Sequence, residues 1–545
     1  MTVGELTARE IERVHWDVIV VGTGMGGGLL GYRLARAGRR VLFVEKGRST
    51  LPGAPDTIRA AMPELAEPGA VRSATDYLAA LARAGRTTDE LTDVSGRRPK
   101  RFIPFIGSGT GGSSALYGMV CERFFPQDFT PRQYFPNAGD SSVPEAWPIG
   151  YDELAPWYDE AERLLGVRGQ RDPLRSGATA AALPEPPPFS PENRVLVDYF
   201  TGRGLHPYHL PMACRYVPGC RTCQTFLCDR SCKNDAATAG VLPAVTEHGA
   251  TLLTESPVLR LEADRRSVQR VICRHRGTTL ALRGRVVVLA AGALATPVLL
   301  LNSRSGDWPN GLANGSDLVG RNLMRHLLEP VEVWPEPGTR TTEANKQIGL
   351  NDFYLYQGRK YGTVQSFGAL PPLEWLTNRP GAAGAALRLL RPAVRAVYER
   401  FFTGGLVLAG IMEDLPYPDN RVLPGRTDPD GRQRIRLNYR LRPAELERRE
   451  VFVGLLRDLL RPFRTVSLGN GRDNKNLGHV CGTCRFGTDP ATSVLDPNNR
   501  AHEVDNLYVV DTSFFPSSAG LNPSLTVAAN ALRVGAHIET AHFPG

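Results

Sequence analysis

The sequence predicts an α/β fold with two parts, a parallel sheet flanked by helices and a second, β-sheet-based domain. Three observations carry this. Residues 16–47, WDVIVVGTGMGGGLLGYRLARAGRRVLFVEKG, read as buried strand, glycine-rich turn, apolar-periodic helix and second strand. The run VVVLAAGALATPVLLLNS (286–303) again passes from strand to helix, through Gly292 and Pro297. Residues 326–464 change character, with short strands (VEVW, GGLVLAGIM, RIRLNYRL), turns such as PDNR and DPDG, and two amphipathic helices.

In the first unit each glycine has its own task. Gly22 permits the tight turn, Gly24 lets a pyrophosphate approach backbone N–H groups at the helix N-terminus, and Gly27 lets helix and strand pack closely. Glu45, at the end of the second strand, is placed to accept hydrogen bonds from a ribose hydroxyl, and a carboxylate there argues against a 2′-phosphate. The unit is therefore Rossmann-like and binds a dinucleotide, without separating NAD from FAD.

Next comes a polar stretch from about 47 to 104, then IGSGTGGSSALYGMVCERF (106–124), too rich in glycine and serine for a helix or strand interior. It reads as a loop lying against a ligand. Residues 147–170 show helical apolar spacing and a glycine stop, and the Pro-rich ALPEPPPFSPEN (182–193) marks a boundary. Residues 250–290 read as β-rich, and no internal repeat is visible.

At 545 residues with 42% hydrophobic and 22% charged, the chain is of ordinary globular composition and long enough for two domains. The formal charge of +9 comes from scattered arginines with no basic run, so no nucleic-acid footprint is expected. The N-terminus is acidic in part and lacks an apolar stretch, and no run approaches membrane-span length. A cytoplasmic protein is expected. Nine cysteines, an odd number clustered in two places, do not look like a disulfide framework.

Together these motifs resemble the glucose-methanol-choline (GMC) flavoprotein oxidoreductases over essentially the whole length. The opening βαβ unit resembles the family's FAD fingerprint, GTGGSSALYGMVCERF the loop along the flavin, and GALATPVLLLNS a second family signature. HVCGTCRFG with NLYVVDTSFFPSSAGLNPSLTVAANALR resembles the C-terminal catalytic block, and DLVGRNLMRH (317–326) is a smaller match. The resemblance implies FAD contacts from Gly22, Gly24, Met25, Gly26, Gly27, Glu45, Gly111, Gly112, Ser113, Ser114, Tyr117, Val258, Asp511 and Pro523. It also implies an FAD-binding domain of 14–186, 240–325 and 465–545, with a substrate-binding domain and lid of 187–239 and 326–464.

Oxidising an alcohol by hydride transfer requires a base for the hydroxyl proton, and imidazole has the right affinity near neutrality. The resemblance makes His479 that base and Asn522 the group that orients the substrate oxygen. His326 and His502 sit in family-like segments without the catalytic spacing and are read as structural. Relatives that attach FAD covalently carry histidine where Leu116 stands, so dissociable FAD is expected. A small-molecule alcohol is the expected substrate, a polyol, sugar or glycosylated metabolite first and a sterol or long-chain alcohol second. The electron acceptor, oxygen or another, and the oligomeric state are left open. An NAD-linked dehydrogenase and a non-catalytic flavin-binding protein are the competing readings, and neither accounts for the retained His479 and Asn522.

CRYVPGCRTCQTFLCDRSCKND (214–235) could hold a metal through Cys220, Cys223, Cys228 and Cys232, since clustered thiolates make a soft tetrahedral site. The expectation is nonetheless no metal, because the middle gap is longer than in the common cluster spacing. Cys481 and Cys484, close after His479, are expected to pack.

Overall fold

The computed structural model describes residues 7–49, 51, 73–175, 181–220, 222–228, 230–335, 346–368, 386–387, 389–401, 405–469, 471–472, 474–475 and 477–544. The strand His15–Val21 lies between Val41–Val44 and Thr278–Leu289, parallel to both, and Thr251–Leu253 and Leu507–Val509 extend the parallel set. Both faces of such a sheet are covered, so its strands must be apolar throughout. Val18, Ile19 and Val20 are accordingly buried completely. Strands Val258–Ala263 and Val268–His275 continue the sheet antiparallel.

Helix Met25–Arg36 follows the first strand and packs against the C-terminal helix Ser524–His542. That long helix is buried along most of its length, from Leu525 to Ile538. Each buried Leu or Val of such a helix contributes about 1.5–3 kcal/mol, so the chain's two ends are fastened together. The expected helix in 147–170 runs Tyr151–Leu164, with Leu154, Tyr158 and Ala161 inward. The Pro-rich boundary ends at Ser190, which caps the helix Pro191–Gly202.

A six-stranded antiparallel sheet forms the second layer, in the order Arg464–Ser467, Leu327–Trp334, Leu406–Met412, Gly362–Gly368, Ile348–Leu350, Tyr208–His209. One face packs on helix Pro443–Leu459, where Val364 meets a cluster with Phe452 and Leu456. Alternation along a strand turns Thr363 and Gln365 to the other face.

One expectation is corrected. The strand in RIRLNYRL does not join this sheet but runs Gln433–Asn438 in a separate four-stranded sheet, parallel to Leu91–Asp93. Strand propensity is local and says nothing about which edge is available 340 or so residues away in the chain.

Candidate active site

The glycine turn, the second strand and the flavin-loop motif meet through one side chain. Thr23 donates its N–H (3.1 Å) and hydroxyl (2.7 Å) to Glu45, and its hydroxyl oxygen accepts from the N–H of Gly111 at 3.2 Å. Glu45 also accepts from the N–H of Gly47 at 2.9 Å and is 4% exposed. Its carboxylate thus organises the turn from within the protein, a role the motif alone does not disclose.

The residues present fit a dinucleotide. Gly24 caps the helix Met25–Arg36 without any side-chain hydrogen bond, so the first N–H groups are left for a ligand. A Cβ at Gly24 would meet nothing within 4 Å, and Gly112 of the flavin loop approaches Gly24 closely. Gly26 is different, because a Cβ there would lie 2.0 Å from the carbonyl oxygen of Val510, making it a close-packing position between helix and sheet. Met25 is buried at the helix start, and Gly27 abuts the carbonyl of Gly22.

The loop itself is a short 3₁₀ turn, Gly112–Ala115, tied down on both sides. The Ser113 hydroxyl accepts from Gly107 N–H, and that of Ser114 bonds the Gly111 carbonyl and accepts from Ala236 N–H. Buried Lys233 donates to the carbonyls of Ala115, Tyr117 and Phe226. The Tyr117 hydroxyl donates to the Asn234 carbonyl. Leu116 is buried beside Ala115 and Leu227. Val258 begins its strand half-buried, just after Ser256 donates its N–H to the Glu45 carbonyl. Asp511 accepts from Gly292 N–H, from the Thr296 hydroxyl and from Ser513, stitching the second glycine turn to the sheet, and burial raises its pKa. Pro523 is the N-cap of the last helix.

His479 stands in the left-handed region at φ 60°, a strained conformation for a non-glycine residue and a recurrent mark of functional sites. Met324 and Cys481 exchange backbone hydrogen bonds at 3.0 Å in an antiparallel bridge, which brings His326 opposite His479. The two Nδ1 atoms are 2.8 Å apart, with the rings nearly perpendicular at 81°. His326 was read from sequence as structural; its neighbour in space could not be inferred from its neighbours in sequence. Burial, then the cost of placing a positive charge beside His326 and Lys346, holds His479 well below the ordinary imidazole range. It is a neutral imidazole at pH 7. His502 bonds Ser493, apart from these groups.

Asn522 ends a segment held by buried acids. Ser518 exchanges hydrogen bonds with the Asp414 backbone, Ala519 N–H donates to Glu413, and Gly520 N–H donates to the Tyr354 hydroxyl. Tyr354 in turn donates to Asp128 at 2.7 Å, and Lys360 is ion-paired with both Asp128 and Glu413, all three being inaccessible. Burial opposes the Lys360 charge, but the two carboxylates outweigh it and raise its pKa. Within this ion-paired frame the Oδ1 of Asn522 is buried with no hydrogen-bond partner. An orphaned buried acceptor costs about 1–3 kcal/mol, and a ligand oxygen or N–H is the natural remedy.

The cysteine segment gathers a set different from the one its spacing suggests. The sulfurs of Cys214, Cys220 and Cys232 lie within 4.8 Å of one another, and Cys228 is 3.3 Å from Cys232. Cys214 joins because it sits across an antiparallel bridge from Lys233. Cys481 and Cys484 are buried, and burial pushes both thiols up, which makes them packing groups at neutral pH.

Two family models, both described as GMC oxidoreductase, match residues 19–328 and 416–531. Paromamine 6'-oxidase of Streptomyces fradiae is 33% identical over 96% of this chain and 91% of its own length. The 6'''-hydroxyparomomycin C oxidase of Streptomyces lividus is 32% identical over 95% and 90%. In fold, the chain is similar to pyridoxine 4-oxidase from Mesorbium loti, with a TM-score of 0.64 at 23% identity, covering 97% of this chain and all of that one. The paired glycine motifs, the free helix N-terminus and the matches to both parts of the family agree, and the chain belongs to the GMC oxidoreductases, FAD-dependent enzymes that oxidise alcohol groups.

Proposed function

We propose that this enzyme oxidises a hydroxyl group of a sugar-like or glycosylated metabolite to the carbonyl. The observation that carries the reading is unspent hydrogen-bonding capacity on buried side chains. Besides Asn522 Oδ1, the Thr363 hydroxyl and both amide atoms of Gln365 are buried without partners. They lie on the face of the six-stranded sheet turned from the helix, on the strand whose Gly362 abuts Gly520. A sterol would leave these groups unpaired, whereas a polyhydroxylated substrate would satisfy them. The names of the two Streptomyces relatives, for paromamine and a hydroxyparomomycin, support the same class.

In this mechanism His479 Nε2 takes the hydroxyl proton while Asn522 holds the substrate oxygen. FAD, when bound, supplies the hydride acceptor. Gly22, Gly24, the Gly111–Ser114 turn, Tyr117, Val258 and Pro523 would hold it, with Glu45 and Asp511 shaping the turns that do so. Leu116 offers no atom for a covalent link, so the cofactor is dissociable. The FAD part comprises 14–186, 240–325 and 465–545, and the substrate part 187–239 and 326–464. Among the described residues no two cysteines form a disulfide, which favours a reducing, cytoplasmic compartment. Among the described residues no helix is long and apolar enough to cross a membrane.

The test is anaerobic flavin bleaching across a panel of polyols, sugars, glycosides, sterols and long-chain alcohols. Bleaching by a glycoside is expected, with His479→Ala slower by about a hundredfold or more at unchanged flavin content. Bleaching by sterols alone would reject the substrate class. Near-normal bleaching in His479→Ala would reject the base. Flavin that stays with acid-precipitated protein would reject dissociable binding.

A further inference from the structure

The direction of each proton in the His326–His479 contact follows from what ends the chain. His326 is 1% exposed, and its Nε2 lies 3.1 Å from the carbonyl oxygen of Ser518. A carbonyl can only accept, so Nε2 of His326 carries the hydrogen. A neutral imidazole has one N–H, which leaves its Nδ1 a lone pair. The 2.8 Å contact between the two Nδ1 atoms then requires the hydrogen on His479 Nδ1. That in turn leaves Nε2 of His479 as a lone pair, and among the described residues no protein group occupies it.

We infer that His326 is a positioning residue that selects the proton-accepting tautomer of His479. The order runs from the Ser518 carbonyl, accepting from His326 Nε2–H, to His326 Nδ1, accepting from His479 Nδ1–H. This rests on the reading of His479 as the base. The chain fixes a tautomer and cannot carry a proton away, because the carbonyl at its end accepts no proton at neutral pH. When His479 takes a proton on Nε2, its Nδ1–H stays bonded to a neutral acceptor, and no negative charge is introduced that would raise the affinity of the base.

The arrangement works only while His326 is neutral. A charged His326 would donate from both nitrogens, force His479 Nδ1 to accept and move the hydrogen of His479 to Nε2, where the substrate proton must go. Burial keeps His326 neutral, bringing it down to about 4 against the favourable Ser518 and Ala519 backbone contacts. Lys360, on the short strand Arg359–Lys360, opposes its charge, and Asp128, in the turn Pro126–Phe129, favours it. The geometry needs the Asn522 loop as well. Ser518 presents its carbonyl because its own hydroxyl and the following Ala519 N–H are held by Asp414 and Glu413.

The experiment is ¹⁵N spectroscopy of [¹⁵N]histidine-labelled, FAD-loaded enzyme near pH 7, with the His479 signals assigned by their loss in His479→Asn. The expected result is hydrogen on Nδ1 of His479 and a bare Nε2. His326→Leu should move that hydrogen to Nε2 and slow flavin reduction at saturating substrate by about tenfold to a hundredfold, with little change in KM. His326→Gln, whose amide can both accept from His479 and donate to Ser518, should restore the Nδ1–H tautomer and most of the rate. Wild-type enzyme with the hydrogen on Nε2 would overturn the inference, as would His326→Leu with tautomer and rate unchanged. If His326→Leu does not fold, the wild-type spectrum decides alone. The tautomer is read without turnover, so a failure of His479 as the base would leave this result standing and be recognised separately.

Discussion

The opening βαβ unit and the candidate catalytic corner around His479 and Asn522 are built in opposite ways. The first draws its turn, helix and acidic residue from one continuous stretch ending near Glu45, and its contacts are largely backbone, set by glycines and by Thr23. The second is assembled from segments 324–326, 413–414, 478–481 and 518–522, with additional support from Asp128, Tyr354 and Lys360. A contiguous motif tolerates change in its surroundings because its geometry is local. A corner assembled from distant segments depends on each partner and can bury charge only because Lys360 is flanked by two carboxylates.

Substitutions that separate folding from cofactor binding test that difference most strongly. Gly26→Val places side-chain atoms against the Val510 carbonyl, where even a Cβ would sit 2.0 Å away, and should leave little folded yellow protein. Gly24→Ala, with open space around its Cβ, should melt normally but load less flavin. Equal loss of melting temperature in the two would mean that the turn is not divided into a packing and a ligand position. Flavin-to-protein absorbance and a thermal melt measure both.

Within the assembled corner, Asn522→Ala should slow flavin reduction by about tenfold, less than loss of the base, because one hydrogen bond to the substrate oxygen is removed. A rate indistinguishable from wild type in stopped-flow reduction would show that the orphaned Oδ1 serves some other group.

The smallest effect is electrostatic. A base must be neutral, and His479 is held below the ordinary imidazole value by burial, then by His326 and Lys346. Flavin reduction should therefore stay level as pH falls to about 6.5, where an unperturbed histidine would already be half charged, and decline only below it. Lys346→Met removes a neighbouring cation, which raises the His479 pKa and moves the acid limb to higher pH. An acid limb that stays put would place Lys346 outside the field of the base.

The fold was legible where the pattern is local. The buried run at Val18–Val21, the helix after Gly24 and the strand-to-helix passage at Leu289–Ala295 follow from apolar periodicity and glycine placement. His479 and Asn522 were legible only through resemblance, since neither has a distinctive neighbourhood in sequence. The contact of His326 with His479 and the place of Cys214 in the thiol cluster were hidden for the same reason. Each acquires its partner through an antiparallel bridge between distant segments, Met324 with Cys481 and Cys214 with Lys233. The destination of the strand Gln433–Asn438 was hidden likewise, because an alternating strand fits any free edge and Leu91–Asp93 provided one.

The sequence by itself determined the chemistry available: a helix N-terminus open to a pyrophosphate, a carboxylate after the second strand, an imidazole and an amide near the C-terminus, and an aliphatic residue where a covalent link would need histidine. The first two depend on residue type and on spacing within one supersecondary unit, and the last three are assigned through the family resemblance. Only the tertiary structure decided which of ten histidines meet, where the hydrogen on each ring lies and which polar side chains are left without partners. The physical reason is that a proton's position is set by the acceptor at the far end of a hydrogen-bonded chain, and here that acceptor, the Ser518 carbonyl, comes from another part of the fold.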